Sequence, residues 1–167
     1  MTSSQTSSQL KVSKTDLGSR RITSIQKLRW ISIALALIGF ADSIYLSWLK
    51  LTNGTAACAN IGDCEAVNNS PYAEIAGIPI AILGAGAYLA MVFFLVIEPR
   101  AEFWRENSSV IVFGLSLAGV LYSAYLTYVE VAILHAICPY CVISAILLVA
   151  LLGISVVRLL RDDEIES

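Results

Sequence analysis

Four apolar stretches divide the chain, from about Trp30 to Leu51, Ile78 to Ile97, Val110 to Val129 and Pro139 to Leu160. Each is close to the roughly 20 residues that a helix needs to cross a hydrocarbon core about 30 Å thick. None shows the alternation of apolar and polar side chains that a membrane barrel requires. A backbone polar group left unpaired in lipid is costly, so these runs are expected as helices. The predicted fold is an all-α integral membrane protein. It is a four-transmembrane-helix bundle with a cysteine-bearing external loop and a short helical segment before the second span.

The flanks divide the chain further. Residues 1–29 are rich in Ser, Thr and Gln, carry scattered Lys and Arg and have no long apolar run, which predicts a disordered cytoplasmic tail. Residues 30–160 form the membrane domain and 161–167 a short cytoplasmic tail. Thr55-Ala56-Ala57-Cys58 faintly resembles a lipoprotein cleavage box. The apolar run before it is longer and begins later than that of a signal peptide, so it reads as a retained span.

Composition agrees with this picture: 57% of the residues are hydrophobic and 14% charged, with a mean hydropathy of +0.73, whereas ordinary soluble domains carry about 25% charge. A net charge of −2 offers no basic surface to a phosphate backbone, so no nucleic-acid partner is expected. The charges also orient the bundle. Ten of the eleven Lys and Arg residues lie in the N-terminal tail, the connection between the second and third spans and the C-terminal end from Arg158 onward, and only Lys50 lies on the other side. Cytoplasmic flanks collect Lys and Arg, so both termini are expected in the cytoplasm.

That orientation sends all four cysteines to the oxidising side, where disulfides persist. Cys58 and Cys64 fall in the first external loop, and Cys138 and Cys141 open the fourth span. In Cys138-Pro139-Tyr140-Cys141 the proline suits the first helical position, which puts Cys138 at or beside the N-cap. Cys141 then shares a helix face with it. Free N–H groups and the dipole at a helix start favour a thiolate. A redox pair, a static disulfide and half of a four-cysteine zinc site all remain compatible with this spacing, although the six-residue loop separation is wider than zinc ligands favour. A channel or transporter would need more polar residues within the spans than Asp42.

An internal echo groups the cysteines further. Ser43-Ile-Tyr-Leu-Ser-Trp-Leu49 in the first span returns as Ser123-Ala-Tyr-Leu-Thr-Tyr-Val129 in the third, and the same offset relates Gly39 to Gly119 and Cys58 to Cys138. Either the two halves are a parallel repeat, or small residues recur because they let membrane helices approach.

Together, the Cys58-Ala-Asn-Ile-Gly-Asp-Cys64 loop, Ser70-Pro71-Tyr72, Gly77-Ile78-Pro79 and His135-Ala-Ile-Cys138-Pro-Tyr-Cys141 resemble the vitamin K epoxide reductase family, especially its bacterial members, over about residues 30–160. The resemblance implies a relay of thiol–disulfide exchanges. Cys58 would meet a reduced thioredoxin-like partner, Cys64 would pass the electron pair to Cys138, and Cys141 would stand beside a membrane quinone such as ubiquinone, menaquinone or phylloquinone. Many bacterial relatives continue into a thioredoxin-like domain. This chain stops at Ser167, so the partner is expected in trans. The family tyrosine four residues beyond the second cysteine of the pair corresponds to Ala145. The expected activity is quinone-dependent re-oxidation of the partner in a membrane, of bacterial plasma-membrane type. The same chemistry valued at its other end would make quinone or epoxide reduction the useful output.

Other polar residues are candidates around this core. Ser70 matches a family Ser or Thr and could support the quinone by hydrogen bonding, or simply hold the turn before Pro71. Asp42, inside the first span, is either a hydrogen-bonded structural acid or part of a proton path. His135, the only histidine, could relay protons to the cysteines or be a solvated loop residue. Glu130 reads as marking the external end of the third span, and Trp30, Trp48 and Trp104 as interfacial anchors. No metal is expected.

Overall fold

A computed structural model describes the backbone of residues 3–52, 54, 63–100 and 102–166. It describes side chains from Ile25 to Arg161 within those ranges, except at 65, 68 and 102–106. Four long helices dominate: α1 (Ser3–Thr52), α3 (Ile80–Ile97), α4 (Glu102–Val129) and α5 (Pro139–Glu166). The segments apolar and long enough to cross a bilayer are Ile25–Thr52, Ile80–Arg100, Asn107–Leu134 and Pro139–Arg161, matching the four expected spans to within a few residues. Residues 3–24, expected as a disordered tail, instead continue α1 as helix. Extension from a span that has already formed needs no second nucleation, so weak propensity is enough to carry the helix onward.

The helices pair as two hairpins. α1 packs most extensively on α3, and α4 on α5; α1 also meets α5, and α3 meets α4, closing the bundle. Lipid offers no hydrophobic drive between helices, so close approach must come from small residues and internal hydrogen bonds. Gly39 and Gly119 supply the approach in their respective hairpins. A Cβ on Gly39 would fall 2.3 Å from the Tyr88 ring, and one on Gly119 would fall 2.8 Å from Leu148. The two glycines that share the sequence offset thus occupy comparable places in the two hairpins. Large apolar side chains such as Leu121, Ile146 and Leu160 point outward and are more than 60% exposed, as a lipid-facing surface requires.

The interior has three levels. At the middle, Ala36, Tyr88, Met91, Leu148 and Leu151 form the main core. Toward one end lie Ile33, Leu95 and Val112, and a buried ion pair joins Glu98 to Arg158. At the other end Cys64, Val67 and Cys138 are buried together. This cysteine end carries the short elements: α2 (Cys64–Asn68), a 3-10 turn at Pro71–Ala73, and the strands β1 (Glu74–Ile75) and β2 (Ile78–Pro79), paired antiparallel through a turn at Ala76 and Gly77. A salt bridge of 3.1 Å from Lys50 to Glu74 ties this hairpin to the end of α1. The short helical segment expected before the second span is therefore present as α2 and the 3-10 turn.

Candidate functional site

The start of α5 is built as its sequence suggests. Pro139 occupies the first helical position, and the Cys138 carbonyl accepts the first helical bond from Val142 N–H at 3.1 Å. Cys138 Sγ also accepts from the Cys141 backbone N–H at 3.4 Å, the contact an N-cap oxygen would make. Both cysteines are free thiols; Cys138 is buried and Cys141 half-buried. Hydrogen bonding from the Cys141 thiol, helped by the backbone N–H groups of Cys141 and Tyr140, holds the Cys138 thiol below its ordinary value. Burial and the nearby Glu130 carboxylate oppose that shift.

The connection from α4 explains why Cys138 sits where it does. Val129 is followed not by a simple helix end but by one wider turn, Glu130–Leu134, of π geometry. It is closed by His135 in the left-handed region (φ 52°, ψ 30°), whose N–H donates to the Glu130 carbonyl. Ala136 N–H donates to the same oxygen at 3.1 Å. Such turns and such backbone values in a non-glycine residue gather at functional sites. Their consequence is to turn Glu130 inward. It is 2% exposed, and its Oε2 accepts the Cys138 backbone N–H at 3.2 Å. In a capping box that N–H is taken by an acid three residues into the helix. Here that position belongs to Cys141, and an acid from the preceding helix takes the N–H instead.

α2 brings the outer cysteine to this place. Asp63 caps it, accepting the Ala66 N–H at 2.9 Å, and Cys64, its first residue, is 1% exposed. Cys64 packs in one cluster with Val67 and Cys138, against which Leu134, Ala136, Tyr140 and Cys141 lie. Cys64 is half of a disulfide. Cys58, the other loop candidate, lies outside the described residues. Among the described residues no three His, Cys, Asp or Glu side chains converge as metal ligands.

Beneath the cysteines a cavity of about 270 Å³ opens between the helices, with a mostly apolar lining that includes Asp42, Tyr88, Tyr122, Cys141 and Ser144. Small-ligand pockets begin near this size, apolar with a few polar groups. The Tyr88 hydroxyl bridges α3 to α5 at 2.9 Å from Ser144 Oγ and 3.2 Å from the Ser144 carbonyl. Asp42 presents a buried Oδ2 with no hydrogen-bond partner. Tyr45 of α1 packs its ring 5.2 Å from that of Tyr140, bracing the cysteine pair against the first helix.

Of the residues singled out from sequence, Cys64, Cys138, Cys141 and Asp42 thus come together around one site. Ser70 does not line the cavity. It is buried, donates from Oγ to the Val67 carbonyl at 2.8 Å and accepts the Ala73 N–H at 3.0 Å, so it holds the turn into Pro71. The His135 side chain is exposed and lies 3.3 Å from the Ile133 carbonyl; it is the backbone of this residue that shapes the site. Glu130, read from sequence as an outer helix marker, is instead the buried acid behind the cysteine pair. Its signal in the sequence is an acid at the edge of an apolar run, eight positions before Cys138.

The profile of the vitamin K epoxide reductase family matches residues 30–156. A thiol-disulfide oxidoreductase of Arabidopsis thaliana is 31% identical over an alignment of 121 residues that covers 69% of this chain and 32% of the plant protein. The chain spans about a third of the length of that relative.

Proposed function

Because the chain belongs to the vitamin K epoxide reductase family, we propose that it is a quinone-dependent thiol–disulfide oxidoreductase that re-oxidises a thioredoxin-like partner. The observation that carries this reading is the burial of Cys64 against Cys138 while Cys141, one helical turn on, lines the apolar cavity. Two electrons can then move inward by exchange alone. The partner's dithiol reduces the Cys58–Cys64 disulfide and leaves as a disulfide. The Cys64 thiolate attacks Cys138 of an oxidised inner pair, releasing Cys141, and Cys58 resolves the mixed disulfide. The outer pair returns to a disulfide and the inner pair becomes a dithiol; the disulfide-bonded Cys64 and the free Cys138 and Cys141 are compatible with this reading.

The cavity residues fit a quinone: a narrow apolar space, a thiol in its wall, and an acid with one carboxylate oxygen unpartnered. When bound, a quinone supplies an acceptor for two electrons and two protons. Asp42 holds a proton at the cavity wall, and the hydrogen bond of Tyr88 to Ser144 fixes another part of that wall. With ten of eleven basic residues at the other end of the bundle, the cysteine end faces the extracytoplasmic side, where a soluble dithiol partner can reach it.

The test is the absorbance change of a quinone added to purified protein, driven by a reduced thioredoxin-like protein or by a small dithiol. Cys138→Ser and Cys141→Ser should abolish reduction with either donor. Cys64→Ser should abolish it with the protein donor and spare it with the small dithiol, which reaches the inner pair directly. Equal loss with both donors in Cys64→Ser would overturn the relay order.

A further inference from the structure

We propose that Glu130 is the acid–base group of the inner cysteine pair, giving a proton to the Cys141 sulfur when the inner disulfide is opened and taking it back when the disulfide closes. This rests on the exchange chemistry proposed above and adds a group that chemistry lacks. In the opening step the Cys64 thiolate forms a bond to Cys138, the Cys138–Cys141 bond breaks, and both bonding electrons stay on Cys141. That sulfur is then an anion in a half-buried place at the edge of the apolar cavity, where an uncompensated charge is costly. A proton from a Glu130 carboxylic acid makes it a thiol and leaves a carboxylate, so charge and electrons balance with no outside reagent.

Three features place Glu130 for this step. Its carboxyl group interacts with the Cys141 side chain, and the Cys141 backbone N–H donates to the neighbouring Cys138 Sγ at 3.4 Å. One oxygen is fixed by the Cys138 backbone N–H, and the other, Oε1, is buried with no hydrogen-bond partner, leaving a position for a proton. A fold that needed only a cap for Cys138 would not require a buried acid, since an amide accepts the same N–H. The π turn and the left-handed His135 are local costs that find an explanation if the carboxyl group must reach this sulfur.

Among the described residues, the titratable groups set around Glu130 are two thiols and, packed against the same cluster, Tyr140. Cys138 and Cys141 face it from the start of α5. Cys64 of α2 is disulfide-bonded here, and Asp63 and His135 are exposed. Among the described residues, a pH dependence of inner-pair opening in the acid and neutral range therefore reports on Glu130 and the two thiols, a tyrosine hydroxyl titrating only at about pH 10 or above.

The experiment uses the full chain in micelles, without quinone or protein partner. The inner pair is first oxidised, then opened by a small dithiol, quenched in acid and counted by mass after thiol labelling. Glu130→Gln keeps an acceptor for the Cys138 N–H but has no proton to exchange. It should slow opening about 100-fold, in the range typical of lost general acid–base catalysis, and remove one limb of the pH profile, with the unfolding midpoint retained. Wild-type rates in Glu130→Gln, or slowing with the pH profile unchanged, would reduce Glu130 to a cap and overturn the proposal.

A measurement on the native sequence covers the case of a misfolded variant. With isotope-labelled glutamate, the infrared difference between oxidised and reduced inner pair should show a protonated glutamate band lost on reduction. Its absence would equally overturn the proposal. Failure of the wild-type chain to reduce any quinone would instead sink the functional reading and leave both thiol measurements standing.

Discussion

Substituting Gly39 by alanine probes how the first helical hairpin sets the cavity wall. The added Cβ would stand 2.3 Å from Cζ and 2.4 Å from Cε1 of Tyr88, roughly 1.2 Å inside the near edge, about 3.5 Å, of favourable carbon contact. Tyr88 borders the cavity, but it cannot swing into it without giving up its place in the core and its bond to α5. It is 2% exposed and its hydroxyl is tied to Ser144. Overpacking of this kind costs about 1–3 kcal/mol, and a lost intramembrane hydrogen bond adds about 0.6 kcal/mol. Gly39→Ala should therefore destabilise the bundle by about 2–3 kcal/mol. Tyr88→Leu removes the ring atoms that clash. On that background Gly39→Ala should be neutral or stabilising by up to about 1 kcal/mol, the helix propensity gained over glycine. The assay is a double-mutant cycle of unfolding free energies in detergent micelles, followed by circular dichroism. Additivity of the two substitutions to within about 0.5 kcal/mol would refute the close approach and the role of Tyr88 as its partner.

Further expectations concern the site itself. Because the Cys138 thiol is held below its ordinary value, chiefly by the Cys141 thiol, site-resolved alkylation of Cys138 should show a midpoint below that of the unfolded chain, and Cys141→Ala should move it upward. The folded value being the lower one, this stabilises the reduced fold most above the unfolded thiol's value and fades as pH falls through the folded one. A midpoint unmoved by Cys141→Ala would contradict that assignment. Asp42→Asn should lower quinone turnover by a factor of about 100 while inner-disulfide opening by a small dithiol proceeds at the wild-type rate; equal loss in both half-reactions would assign Asp42 to structure alone.

What can be read from the chain follows from the range of the interactions involved. The four spans depend on length and hydropathy, and these are local properties. The N-cap position of Cys138 depends on a single following proline, which is more local still. The meeting of Cys64 with Cys138 has no such signal, and only the family resemblance suggests it. Glu130 reads as a mere helix marker because its direction is set by a π turn and a left-handed histidine, neither of which has a sequence mark of its own. His135 draws notice for its imidazole, which is exposed, while its left-handed backbone closes the turn. Ser70 presents two roles in the sequence, and the structure displays the turn. The continuation of α1 into residues 3–24 escapes a compositional reading because composition reports what a segment does alone, not when it is joined to a formed helix.

The two halves of the bundle suggest how one end would serve the relay proposed above. Both begin with a helix carrying a closely packed glycine, Gly39 against α3 and Gly119 against α5, and at the same offset each places a cysteine after that helix. They differ in what joins the helices. Between Thr52 and Ile80 lies a long connection that contains α2 and the small hairpin, long enough for Cys64 to come to rest on the other half of the molecule, against Cys138. Between Val129 and Pro139 lies one tight turn, fixed by two hydrogen bonds to the Glu130 carbonyl and a third from Cys138 to its carboxylate. An exchange chain needs one cysteine pair able to meet a partner and another held at a set place beside the acceptor. Connections of unequal length supply both from two similar hairpins, and the buried acid Glu130 belongs to the short one, where hydrogen bonds on its own carbonyl and carboxyl group fix it beside the inner pair.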